Sequence, residues 1–354
     1  MERLKRIMEQ AKKVTATDIH LIVNSKPIIR ITKKLVPIEE EEILQEKDIE
    51  DILHAYMDEK HKMTLNKKGE VDFSFTVEGL GRFRANAFKQ QGNLSLALRR
   101  IEENIPDFDD LKLPEIIRSF SKLNKGLVLV TGVTGSGKST TLASLINIIN
   151  KERYEHIITI EDPIEYVHKH KNCRINQREI GNDTEDFGTA LRAALRQDPD
   201  IILLGEMRDR ETIQTALMAA ETGHLVFSTL HTMGSAETID RIIDAFPLEH
   251  KDQVRSQLAA TLKGVVSQEL IAGKDGKSLK VATEVMVTNG AVQNLIREGK
   301  THQITSVIQT SANLGMHSMD SSLARLTREG HISVNEAYLR AQDKKILERM
   351  LLER

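Results

Sequence analysis

Apolar residues recur along this chain with two different periods, and the change from one to the other divides it. Leu4, Ile7, Met8 and Ala11 fall at helical spacing, and Thr15-Ala16-Thr17-Asp18 then interrupts the pattern. Runs at 18–23, 28–32 and 34–38 have strand character and are limited by Pro27 and Pro37. Helical periodicity returns over 47–60 through Ile49, Ile52, Leu53 and Tyr56. Val71-Asp72-Phe73-Ser74-Phe75-Thr76-Val77 alternates as a half-buried strand does, and further strands are expected at 82–89 and 93–101. These elements predict a small α+β domain over 1–101. Residues 102–120 hold acidic side chains, Pro106 and Pro114, and predict a linker with a helical end.

From Gly126 the pattern alternates strand with helix, the sign of a largely parallel sheet. Strands are expected at 127–131, 156–161, 201–205 and 225–230, with helices at 138–150, 184–196, 211–222 and 236–246. The unbroken apolar run Ile201-Ile202-Leu203-Leu204 suits a strand buried on both faces. Strands at 265–272 and 280–287 flank a turn at 273–276, and the chain after Gly290 reads as helical: 291–298, 303–310, 321–329 and 334 to the end. The fold class is therefore α/β over 121–354, with a helical C-terminal region. No internal repeat or low-complexity tract is present.

Between the first of these strands and its helix lies Gly132-Val133-Thr134-Gly135-Ser136-Gly137-Lys138-Ser139-Thr140. The spacing G-x-x-x-x-G-K-[ST] in a strand–loop–helix setting is a P-loop. Its glycines let successive backbone N–H groups turn inward toward phosphate oxygens, and the helix start adds the positive end of its dipole. Gly135, Ser136, Gly137 and Thr140 belong to this cradle, Lys138 would reach the β- and γ-phosphates, and the Ser139 hydroxyl would sit on Mg²⁺. The chain is expected to bind a nucleoside triphosphate.

A P-loop needs a carboxylate for the Mg²⁺ shell and a group that activates water. Glu206 follows the apolar strand at 201–205, the form of a Walker B element, and would emerge beyond a strand's carboxyl end. Ile160-Glu161-Asp162-Pro163-Ile164-Glu165 also places acids at a strand end; Asp162 and Glu165 suit either a cleft or a solvated loop. His224 and His231 bracket the strand at 225–230 and suit either a phosphate contact or a structural role. Arg82 and Arg84 share one face by alternation, and with Arg99 they form a solvated strand face or supply charge to a phosphate held elsewhere. Arg192, Arg196, Arg208 and Arg210 carry the same two readings.

Composition narrows the class. The 354 residues favour two domains, and the formal net charge of −2 argues against a whole-molecule polyanion binder. The single cysteine, Cys173, leaves no intramolecular disulfide and no cysteine-based zinc site. The N-terminus lacks signal-peptide character and no apolar run has transmembrane length, so a cytoplasmic location is expected.

Several stretches together resemble the secretion-ATPase superfamily and, within it, the type IV pilus retraction ATPases, the PilT family. They are Thr17-Asp18-Ile19-His20-Leu21, Gly81-Arg82-Phe83-Arg84-Ala85-Asn86-Ala87-Phe88, the P-loop, 158–168, Asn176-Gln177-Arg178-Glu179, 195–209 and 221–232. Ala291-Val292-Gln293-Asn294-Leu295-Ile296-Arg297-Glu298 is similar to the retraction family's A-I-R-N-L-I-R-E signature, with Val292 and Gln293 at two changed positions. Val133 stands where the family usually has proline. One cysteine excludes the tetracysteine zinc element of assembly ATPases.

The resemblance implies a PAS-like N-terminal domain joined to a RecA-like P-loop ATPase domain in a hexameric ring. ATP would bind between the two domains. Glu165 would be the water-activating base, Glu206 the Walker B carboxylate near Mg²⁺, and His224 and His231 the His-box residues. Arg82, Arg84 and Arg99 would reach the nucleotide from the N-terminal side. The implied activity is ATP hydrolysis driving pilus retraction and twitching motility. An inner-membrane pilus platform protein would be the partner, membrane association would be peripheral and no nucleic acid is expected. Other readings are a pilus assembly or secretion ATPase, a DNA-translocating RecA-like motor and a nucleotide-gated scaffold.

Overall fold

A computed structural model describes residues 2–352 apart from 32, 33, 102, 103 and 277. Thr32 of the expected strand 28–32, Glu102 and Glu103 of the expected linker, and Glu353 and Arg354 of the expected last helix lie outside the described residues. The chain divides into two compact units, one comprising Met1–Asn104 with Pro163–Val167 and the other Ile105–Asp162 with His168–Arg354.

In the first unit, Leu4, Ile7, Met8 and Ala11 are the buried stripe of the helix Glu2–Lys13, at the spacing that one face of a 3.6-residue helix demands. Six strands follow in chain order: β1 (Asp18–Ile22), β2 (Ile28–Ile31), β3 (Lys34–Pro37), β4 (Glu70–Val77), β5 (Gly81–Gln90) and β6 (Asn93–Arg100). They form one antiparallel sheet in the order β3-β2-β1-β6-β5-β4. The alternation in β4 buries Val71, Phe73, Phe75 and Val77, and Phe75 stacks on Tyr56 with ring centroids 4.2 Å apart. The helix expected over 47–60 is instead two, Glu46–Tyr56 and Glu59–Lys68. Met57 is extended, and the Asp58 side chain accepts from the His61 N–H, capping the second helix and ending the first.

The second unit has seven strands: β7 (Gly126–Thr131), β8 (His156–Glu161), β9 (Arg174–Glu179), β10 (Ile201–Leu204), β11 (Leu225–Leu230), β12 (Leu262–Ala272) and β13 (Leu279–Val287). Their order is β13-β12-β7-β11-β10-β8-β9, parallel throughout except at the β12–β13 hairpin. Every residue of β7, β10 and β11 is buried, as a sheet covered on both faces requires. One face packs Leu127, Leu129, Val265 and Met286; the other packs Val128, Val130, Val266 and Val285.

Two elements had no counterpart in the sequence reading, and the linker differs from it. Arg174–Glu179 is a strand although its side chains are mostly polar, because it is the sheet edge and pairs only with β8. Leu248–Thr261 is a helix that periodicity did not reveal, since only Val254, Leu258, Ala259 and Thr261 are buried on it. The stretch expected as a linker docks Phe108, Ile117 and Phe120 into the core of the second unit. Phe120 lies against Gly264, where a Cβ would come within 2.3 Å of the ring, so a glycine makes the seat for this anchor.

Between β8 and β9, His168 is buried, and among the described residues its Nδ1 has no hydrogen-bond partner. Burial, with the Lys171 charge nearby, pushes its pKa down to about 4. A folded-state pKa below the unfolded value of 6.5 means this imidazole contributes stability above pH 6.5 that is lost as pH falls toward 4. Between pH 7 and pH 5 the wild type should lose about 2 kcal/mol that a His168→Gln variant does not lose, measured by denaturant unfolding at both values. Equal pH slopes in the two proteins would rule the assignment out. Phe120→Ala should cost about 3–5 kcal/mol in the same assay; a loss below about 1 kcal/mol, the size of a surface change, would show that the stretch is a loose connector after all.

Candidate functional site

Because β7, β8, β10 and β11 run parallel and in register, their carboxyl ends share one edge of the sheet. Thr131 lies beside Leu230, and Leu204 lies beside both Ser228 and Ile160. The chain leaving β7 is the P-loop, that leaving β10 carries Glu206, that leaving β11 begins with His231, and β8 itself ends in Glu161. Ligands of open parallel sheets bind at such an edge.

The P-loop is shaped by what lies beneath it. Gly132 has φ 138°, and a Cβ there would stand 2.3 Å from the Gln268 carbonyl oxygen and 2.7 Å from Ser136 Oγ. Gln268 Nε2 donates to the Ser136 carbonyl at 3.3 Å, so a β12 side chain braces the loop from below. Gly137, left-handed at φ 89°, is the N-cap of the helix Lys138–Glu152 and turns the chain into it. Gly135 is exposed, Ser139 and Thr140 are half-buried in the first turn, and Ser136 is buried with its Oγ unpartnered among the described residues. Lys138 is 8% exposed, and its ammonium donates to the Gly132 carbonyl at 2.7 Å and the Val133 carbonyl at 3.0 Å. A buried cation resting on its own loop's carbonyls, beside an unsatisfied hydroxyl and the amino end of a helix, fits a polyphosphate.

Glu206 is mostly buried, and its carboxylate accepts from Arg208 Nε at 2.8 Å, with His231 Nε2 at 3.7 Å. Arg208 is therefore the partner of the expected Walker B acid. Thr229 Oγ1 donates to the Gly205 carbonyl at 2.6 Å and fixes the chain just before Glu206. Glu161 sits one strand away, accepting from Thr159 Oγ1 at 2.6 Å and Gln177 Nε2 at 3.2 Å. Glu206 and Glu161 thus follow or end neighbouring strands at this edge, and carboxylate oxygens are the ligand type that a hard cation such as Mg²⁺ takes.

His224 lies away from this edge. It precedes β11, its carbonyl accepts from the Gly126 N–H at the start of β7, and its Nδ1 lies 2.9 Å from the Ala219 carbonyl. Seven residues of strand place it roughly 20 Å from His231. It closes the end of the helix Arg210–Glu221 at the opposite edge of the sheet from the P-loop. Flanking the same strand does not bring two residues to the same site.

Arg82, Arg84, Arg99 and Glu165 belong to the first unit. Arg82 and Arg84 share the outward face of β5, as alternation requires, with Phe83, Ala85 and Ala87 turned inward. Arg84 stands directly opposite Arg99 across the β5–β6 ladder. Arg82 donates to Ser74 Oγ at 2.6 Å, Arg84 lies 3.8 Å from Asp72, and Arg99 Nε donates to Asp18 Oδ1 at 2.8 Å. Burial raises the Asp18 carboxyl, Arg99 and Thr17 lower it further, and the net direction is down. Glu165 is exposed on the Pro163–Val167 segment, which groups with this unit. Of the other arginines, Arg192 pairs with Glu211, and Arg210 lies 5.8 Å from the Phe246 ring centroid.

Sequence reasoning passed over Gln268 and Ser267, and named Glu161 among the acids at a strand end without giving it a part. The signal for the first two was a pair of polar residues inside the apolar run of β12; for Glu161 it was a carboxylate ending the strand next to β10.

Comparison with known proteins agrees with the resemblance in the sequence. The family described as type II/IV secretion system protein matches residues 1–345. The type IV pilus retraction ATPase PilT of Pseudomonas aeruginosa is 47% identical over 327 residues, covering 92% of this chain and 94% of that protein. A twitching motility protein of Neisseria gonorrhoeae is 47% identical over 317 residues, covering 90% of this chain and 84% of that one. The crystal structure of the pilus retraction motor PilT with bound ADP matches with a TM-score of 0.91 at 47% identity, over 97% of this chain and 98% of that one. With residues 1–345 matched by the family and 97% of the chain matched by fold, the chain belongs to the type II/IV secretion system protein family.

Proposed function

We infer that this chain is an ATP-hydrolysing motor that drives type IV pilus retraction. The observation that carries the reading is the 47% identity to a pilus retraction ATPase over 92% of the chain, in a protein whose phosphate loop is complete. The Lys138 ammonium, held by the Gly132 and Val133 carbonyls, exchanges them for phosphate oxygens in charge-assisted hydrogen bonds. The N–H groups of the loop and of the first helical turn receive the same oxygens. Ser139 and Glu206 would hold Mg²⁺, which neutralises charge on the phosphates. Arg208 must yield the Glu206 carboxylate for this to happen, and His231 stays close to the same group.

Glu165 is the proposed base that orients and deprotonates the attacking water. Arg82, Arg84 and Arg99 are the proposed donors of charge to a triphosphate held by a neighbouring copy, as arginine forks suit phosphate. The working form is a homo-hexamer acting on an inner-membrane pilus platform protein, which gives the motor its peripheral place at that membrane. No helix among the described residues is long and apolar enough to cross a membrane.

Two variants test the chemistry. Lys138→Ala should abolish binding of a fluorescent ADP analogue and turnover alike. Glu206→Gln should keep ADP affinity within about twofold yet lower kcat by at least about 100-fold, as expected when a group that stabilises transition-state charge is lost. Wild-type turnover in Glu206→Gln would remove that residue from the site. Deleting the gene and counting surface pili tests the biological direction: excess pili support retraction, whereas a bald cell means assembly.

A further inference from the structure

A row of polar side chains crosses three adjacent strands of the second unit's sheet. Thr131, the last residue of β7, lies beside Ser267 of β12, and Ser267 lies directly opposite Glu284 of β13. All three are almost fully buried and fall on the face that packs Leu129, Val265 and Met286. Thr131 Oγ1 donates to Ser267 Oγ at 3.2 Å, and Ser267 Oγ accepts from the Gly234 N–H at 2.8 Å. One oxygen of Glu284 accepts from the Ser235 N–H at 2.7 Å and the Ser235 hydroxyl at 2.8 Å.

A buried carboxylate is costly, so what it holds matters. The helix Ser235–Asp244 starts at Gly234, which has no side chain to cap it. Glu284 supplies that cap from β13, with a carboxyl oxygen accepting at the positive end of the helix. The loop held in this way, residues 231–234, starts with His231 beside Glu206 and ends on the residue bonded to Ser267. The next β12 residue, Gln268, braces the P-loop. On the other side, the Gln342 side chain hydrogen-bonds Glu284, and buried Asp320 accepts from the backbone N–H groups of Gln342 and Asp343 at 2.8 and 3.0 Å. A pocket of about 20 Å³, enough for one water, is lined by Gly132, Gly234, Gln268 and Gln342 and lies where these parts meet.

We propose that Glu284 is a positioning residue for ATP hydrolysis: it fixes the 231–234 loop against the P-loop and, through Gln342, makes the C-terminal helical segment part of the same frame. The proposal rests on the ATPase reading above. It treats the C-terminal segment as a partner of the chemistry and not as a passive appendage, because a shift of Gln342 changes what Glu284 can hold.

The test is steady-state ATP hydrolysis and ADP-analogue binding by full-length wild type, Glu284→Ala, Glu284→Gln and Gln342→Ala. Glu284→Ala should lower kcat by about 10-fold, the scale of a sub-ångström misplacement of a catalytic group, with ADP affinity within about twofold. Glu284→Gln keeps an acceptor for Ser235 and should regain most of the loss. Gln342→Ala, a change at the surface end, should lower kcat several-fold with an unchanged melting temperature, and should add nothing in the Glu284→Ala background. If Glu284→Ala does not fold, Gln342→Ala decides alone. Wild-type kcat in Gln342→Ala, or a loss of ADP affinity equal to the loss of kcat, overturns the proposal. A wild type that hydrolyses no ATP overturns the functional reading instead. In that event hydrogen exchange decides: ADP should slow exchange at Gln342 and Asp343 in the wild type but not in Glu284→Ala, and no ADP effect in the wild type would overturn the link.

Discussion

The nucleotide site depends on one close approach of backbone to backbone. Gly132 sits over the Gln268 carbonyl so tightly that any side chain would collide with it. That approach presses the P-loop onto β12, and β12 is paired in parallel with β7, the strand from which the loop springs. The loop therefore has a rigid floor as well as a rigid entry. Its charged end, Lys138, is held on its own carbonyls, so the cation is already placed and desolvated before phosphate arrives. Binding then needs a change of partners at Lys138 and the release of Glu206 by Arg208, while the loop's backbone keeps its floor.

From this floor the other parts follow by register. Parallel pairing brings Glu206, Glu161 and His231 to the edge where the loop lies, and the same pairing sends His224 to the far edge. The polar row Thr131–Ser267–Glu284 then joins the loop to the 231–234 turn through the sheet itself. Each hydrogen bond of this row has a loop or a helix start to hold.

Much of this was legible in the sequence, and the residues show why. The P-loop spacing, the apolar strand before Glu206 and the alternation in Val71–Val77 are local signals, and all emerged as read; Glu70 alone extends that last strand. Arg82 and Arg84 share a face because period two fixes it. The failures were of two kinds. Some elements lack an amphipathic signature: Arg174–Glu179 is a polar edge strand, and Leu248–Thr261 buries only a few side chains. Others depend on contacts distant in the chain, which no local pattern reports. Gln268 braces a loop 132 residues away, Glu284 caps a helix 49 residues away, and Phe120 finds its seat only because residue 264 is glycine.

On the proposed function, the phosphate loop is the fixed part of a motor that works as an assembly. Its most direct test is ATP turnover by the purified full-length protein with Mg²⁺, measured on a fraction whose mass is determined at the same time by light scattering. The account predicts a six-chain particle that hydrolyses ATP and stops when the metal is chelated. A protein that binds ATP but releases no phosphate in any assembly state would contradict it.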